Sequence, residues 1–164
     1  LVDRVFSVLG YVANESTLSP RHRMLLILRT AWLTQSANLW ASFASGASEA
    51  GLTDDDVRRV AAGRLSEEWS ELERTLIRLP DELFRNSSVT DRTWDALATE
   101  YDLYNMMDAV VTVGVATEMV TVRRPTSHVS IARPGFRSTE PYRLRIRAIL
   151  IPCTTVIIIT YLFS

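Results

Sequence analysis

The stretch from Leu18 to Ala50 reads LSPRHRMLLILRTAWLTQSANLWASFASGASEA, and its periodicity decides the fold. Ser19 followed by Pro20 is a helix start: the serine caps, and proline takes the first helical position, where its missing N–H costs nothing. Beyond it Met24, Ile27, Leu28, Ala31 and Trp32 recur at helical spacing and share a face. Gln35 marks a short break. A second helix then places Ser36, Leu39, Trp40, Phe43 and Ala47 on one face, with Gly51 as its C-terminal cap. Two helices joined by so short a link form an antiparallel hairpin.

The helical pattern continues on the C-terminal side. Thr53 caps a third helix that stops at Gly63. Asp54, Asp55 and Asp56 favour the positive end of its dipole, and Leu52 staples to Val57. A fourth helix is expected from Ser66, with Glu67 and Glu68 in its first turn. Its apolar face is Trp69, Leu72, Leu76, Leu79 and Leu83, and Pro80 inside it removes one backbone bond and kinks it. A fifth runs from Thr90 to Tyr101, with Val89 stapling to Trp94. A sixth, Leu103 to Val122, is apolar on nearly all sides and is expected at a subunit interface. Short connections and scarce strand alternation predict an all-α bundle of about six helices.

Composition bounds the function. At 164 residues with 47% hydrophobic content the chain can bury a core, and a net charge of −1 gives no electrostatic reason to expect nucleic acid. All 18 basic residues are arginine, which excludes lysine Schiff-base chemistry and a Walker-type phosphate loop. Cys153 is the only cysteine, so no disulfide forms within the chain. That fits a reducing cytoplasm. No cofactor is implied. The chain opens on Leu1 rather than on a starting methionine, and no signal peptide is visible.

Composition changes near residue 123. Two isoleucines, Ile27 and Ile77, precede residue 130, and seven follow from Ile131 onward. The expected domain is therefore 1–122, with 123–164 a separate tail. Ala148 to Phe163 carries no charge, yet 16 residues fall short of the roughly 20 that span a bilayer. Two readings stand: a segment not native to the domain, or a membrane-contacting tail behind Arg143, Arg145 and Arg147.

The run from Leu18 to Arg23, the stretch from Leu26 to Thr34, Trp40-Ala41 and the run from Glu49 to Thr53 resemble the carboxymuconolactone decarboxylase family, which includes the AhpD-like alkylhydroperoxidases. Leu72-Glu73-Arg74, Asp81-Glu82-Leu83, the run from Thr93 to Leu97 and Tyr101-Asp102 follow in family order, so the likeness covers roughly residues 17–120. The resemblance implies an all-α fold, assembly into trimers or hexamers, and a pocket between the helices at 20–34 and 36–50. In AhpD-like members that pocket holds a Glu on the first helix and Cys-x-x-Cys-x-x-x-His on the second. Other members keep a Glu and the His, an acid–base pair suited to decarboxylation or proton transfer.

Carried onto this chain, the first-helix Glu falls at Met24, the first Cys at Ser36, the second Cys or Glu at Leu39 and the His at Phe43. None of these side chains titrates near neutral pH. The scaffold matches and the chemistry does not.

The remaining candidates each have two readings. Ser36 is a nucleophile only with a base in reach; otherwise it is a helix cap. Met24, Leu39, Trp40 and Phe43 line an apolar ligand pocket or are simple core. His22, with Arg21 and Arg23, binds an anion at a helix start or forms a solvated basic turn. Arg29 interrupts an apolar stretch; it pairs with a buried acid such as Asp81 or points into the pocket to hold a carboxylate. Asp54, Asp55 and Asp56 diverge around a helix, so no metal site is expected from them.

Two functions follow. One is cofactor-free decarboxylation, isomerisation or cyclisation of a small apolar or aromatic carboxylate. The other is a catalytically silent relative that binds a ligand or a partner subunit.

Overall fold

The computed structural model describes residues 2–63 and 68–122. Within them lie seven helices and no strand: α1 (Val2–Asn14), α2 (Pro20–Leu33), α3 (Ala37–Ala44), α4 (Asp54–Ala62), α5 (Glu71–Asn86), α6 (Asp91–Ala98) and α7 (Leu103–Val122). The expected tail, 123–164, lies outside the described residues.

Helix α2 is the hub. It packs against α3, α4, α5 and α7, while α1 and α6 close on α7. Its centre explains why: Leu25, Leu26 and Leu28 are fully buried, so consecutive residues face different neighbours. Leu26 joins Leu76, Leu79, Leu97, Met106, Ala109 and Val113 in a cluster shared with α5, α6 and α7. Leu25 and Leu28 join Val60, Trp69 and Ile77 on the side of α4 and α5. A third cluster unites Ile27 and Ala31 with Leu39 of α3 and Ala116 of α7.

Local signals set most boundaries. Ser19 Oγ accepts from His22 N, and Pro20 opens α2 as expected. Thr53 and Asp56 form a reciprocal capping box at α4, and Leu52 and Val57 meet in one apolar cluster. Gly63, at φ 78°, ends that helix. A Cβ there would lie 2.7 Å from an Arg29 guanidinium nitrogen, so glycine is required twice over.

Three expectations need correction. The second helix of the hairpin stops at Ala44; the chain reaches Gly51, at φ 82°, through a series of turns. Ser45, Gly46 and Ser48 in this stretch are weak helix formers, which accounts for the early stop. The fourth expected helix starts at Glu71, where Ser70 and Glu73 make a capping box. Ser66 and Glu67 themselves lie outside the described residues. Helix α1 was not read from the sequence at all. Valines and Gly10 make it a poor helix former, and it is held by docking on α7: Val12 is buried, and the Tyr11 hydroxyl donates to Asp108 at 2.9 Å.

Candidate functional site

The α2–α3 hairpin turns on one strained residue. Gln35 adopts φ 56°, a left-handed conformation usually given to glycine. Its N–H donates to Trp32 O at 3.1 Å, and Ser36 N–H donates to Ala31 O at 2.9 Å. These two bonds satisfy the carbonyls that α2 leaves unpaired and fix the angle at which α3 departs. Ser36 Oγ then accepts from Leu39 N–H at 3.3 Å and caps α3. The hydroxyl thus serves the backbone.

Of the four positions at which the resemblance places a relay, Leu39 is buried, and Met24, Ser36 and Phe43 are half-buried. Leu39 is 5% exposed and lies against Ile27, Ala31 and Ala116. Met24 packs on the Leu25, Leu28 and Ala47 cluster, and Trp40 and Phe43 touch both this cluster and that of Leu39. The rings of Trp32 and Trp40 sit 5.7 Å apart, tilted by 58°, an aromatic pairing across the hairpin. The structure brings Met24, Leu39, Trp40 and Phe43 into two adjoining apolar clusters that Trp40 and Phe43 bridge.

Arg29 and His22 point elsewhere. Arg29 Nε donates to Asp81 Oδ1 at 2.8 Å, Nη2 lies 2.8 Å from the same oxygen, and Nη1 donates to the carbonyls of Val60 and Ala61. The guanidinium therefore cements α2 to α5 and neutralises the C-terminal end of α4. It does not reach the apolar region as a carboxylate contact. His22 is half-buried rather than solvated. Its Nδ1 shares a 2.6 Å hydrogen bond with the Tyr101 hydroxyl. Burial holds the imidazole below its ordinary 6.5 against the pull of Glu73, and burial pushes the Tyr101 hydroxyl up to about 12. This pair joins α2 to the segment that follows α6.

Arg21 is the residue the sequence reading undervalued. It donates to Glu73 at 2.8 Å, to Asp56 at 3.0 Å and to Gly51 O. Asp56 also accepts from Arg59 at 2.8 Å, and Arg59 lies over the Trp69 ring and pairs with Glu68. Burial alone would raise the Asp56 and Glu73 carboxyls; their bonds to Arg21 and to the two helix caps outweigh it and hold both below the usual range. The acidic run is thus consumed in a cap and in ion pairs, Asp55 pairing with Arg58. Among the described residues no group of three or more His, Cys, Asp or Glu gathers into a metal site.

A cavity of ≈ 190 Å³ lies on α5 and the start of α6, lined by Arg78, Asp81, Glu82, Arg85, Asn86 and Arg92. Sequence reading passed over it. The signal was present: residues 78, 81, 82 and 85 follow the i, i+3, i+4, i+7 spacing of one helix face. Such a stripe ordinarily reads as a solvated face of mutual ion pairs.

An all-helical bundle centred on a two-helix hairpin, with its apolar region between α2 and α3, defines the class of protein. The model of the carboxymuconolactone decarboxylase family matches residues 1–82, half of the chain, and the chain belongs to that family. A solved structure from Agrobacterium tumefaciens, described as a protein of unknown function and an AhpD antioxidant defence candidate, superposes with a TM-score of 0.67 at 18% identity. The match covers 74% of this chain and 84% of that one. At that identity the likeness concerns the fold. No curated protein matches the sequence.

Proposed function

We propose that this chain is a member of the family in which packing has replaced the proton relay, and that it works as an oligomeric binding or interaction protein rather than as a thiol peroxidase. The observation that carries this reading is Leu39. It occupies the place of the relay's second Cys or Glu and is buried among Ile27, Ala31 and Ala116. Decarboxylation, isomerisation or cyclisation of an aromatic carboxylate needs a group that gives or takes a proton. Met24, Ser36, Leu39, Trp40 and Phe43 contain none, and Arg29 is committed to Asp81.

Assembly into trimers or hexamers is part of this reading. Leu103 and Tyr104 are 60% and 75% exposed at the start of α7, and Met107, Val111 and Val115 continue a half-buried apolar stripe along it. That stripe is the subunit contact. Among the described residues no helix is long and apolar enough to cross a membrane. Residues 1–122 are taken as the working domain.

The test is to rebuild the relay in the full chain, in a Cys153→Ser background. Met24→Glu, Ser36→Cys, Leu39→Cys and Phe43→His together should confer weak, thiol-dependent peroxide reduction. The starting protein should show none, because an unassisted serine hydroxyl stays protonated and has no thiolate chemistry. Comparable turnover before and after the change would place the site elsewhere.

A further inference from the structure

We propose that the cavity between α5 and α6 binds the phosphate group of a small molecule. Its lining supplies three guanidinium groups, Arg78, Arg85 and Arg92, from two helices. Among the described residues none of the three forms an ion pair within 4.0 Å. The two acids of the lining are occupied. Asp81 is held by Arg29 at 2.8 Å. Glu82 accepts from Thr90 N at 2.9 Å, from Thr93 Oγ1 at 2.8 Å and from Thr90 Oγ1 at 3.1 Å, so both its oxygens are fixed on the α6 cap. A side chain tied in this way cannot swing to quench the arginines.

The balance of charge is therefore positive. The Asp81 charge is matched by Arg29, and Glu82 offsets one of the three arginines, which leaves two positive charges facing the cavity. Arg78 Nε is buried and has no hydrogen-bond partner. That nitrogen is sealed from solvent, so a ligand in the cavity meets the exposed guanidinium groups of Arg85 and Arg92 and the lining part of Arg78. Guanidinium groups match carboxylate and phosphate alike. The number of donors favours phosphate: one arginine fork satisfies the two oxygens of a carboxylate, whereas three arginines fit a group with three terminal oxygens and two negative charges. The cavity lies away from the apolar region between α2 and α3, so this site is independent of the function proposed above.

Titration of the full chain with inorganic phosphate, with chloride holding ionic strength constant, tests the site. The readout is the arginine Nε–H resonances in a nitrogen–proton correlation spectrum. A saturable shift of the Arg85 and Arg92 Nε–H resonances is expected. Arg85→Gln and Arg92→Gln, both at exposed positions, should keep the spectrum of the fold and weaken binding by about tenfold each, the loss of one charge-assisted bond. Acetate should bind at least about tenfold more weakly, since it has one charge and two oxygens. Methyl phosphate binding as tightly as inorganic phosphate assigns the site to a phosphomonoester. Binding of inorganic phosphate alone assigns it to the free ion. No saturable shift, an unchanged affinity in both glutamine variants, or acetate equal to phosphate overturns the proposal.

Discussion

Helix α2 turns Arg21 and Arg29 toward α4 and α5, and Ile27 and Ala31 toward α3 and α7. On the first side each guanidinium joins two or three elements, and every acid it meets is consumed in the joint. On the second side Ile27 and Ala31 meet Leu39 and Ala116 in an apolar cluster. Buried charge in this molecule is therefore a structural device. A position on the family scaffold carries chemistry only if its neighbours leave a polar group unspent there, and the function proposed above holds that the α2–α3 region of this chain leaves none.

The polar side should break hardest. Arg29→Met strands Asp81, which is 5% exposed, without a counter-charge. The cost should be about 3–5 kcal/mol, read as a shift of the urea midpoint. Adding Asp81→Leu should recover most of that loss, because a buried pair contributes far less in net terms than one orphaned member costs. If Arg29→Met alone were nearly neutral, the joint between α2 and α5 would not depend on charge.

Leu39→Ala probes the apolar side. It should cost about 2–3 kcal/mol by chemical denaturation, the loss of a buried side chain and the cavity left between α3 and α7. A cost under about half a kilocalorie would mean that the region is loosely filled and open to a ligand, against the packed reading.

The smallest effect expected is on pH dependence, and it separates the two sides without disturbing either core. The folded state holds His22 below its unfolded value of 6.5, so the unfolded chain binds the proton first and stability declines as pH falls below that value. Asp56, Glu73 and Glu82 are held below their unfolded values of 3.8 and 4.5. Their contribution is complete above those values and is lost as pH falls through the lower, folded ones. Melting temperature should thus decline in a shallow step below about 6.5 and a steeper one below about 4.5. His22→Gln should remove the first step and keep the second. A variant that retains both steps would show that the His22–Tyr101 contact does not link folding to protonation.

Much of this molecule is decided within four or five residues of sequence. Ser19-Pro20, Thr53 with Asp56, and Thr90 each set a helix start by bonds that close locally, and the apolar periods of α2, α5 and α7 follow from the pitch of the helix. That Met24, Ser36, Leu39 and Phe43 carry no group that titrates near neutral pH is also legible in the sequence; their place as relay positions rests on the resemblance and belongs to the proposed function. The tertiary structure decided the rest. Helix α1 is amphipathic but rich in valine, and its place is set by docking on α7. The partner of Arg29 lies 52 residues away, and that of His22 lies 79 away. Arg78, Arg85 and Arg92 line one cavity because α5 and α6 meet there, and Thr90 and Thr93 hold the Glu82 carboxylate on the α6 cap. Periodicity reports which face of a helix is apolar. It does not report which opposite charge arrives across the core, because that depends on how the helices stack.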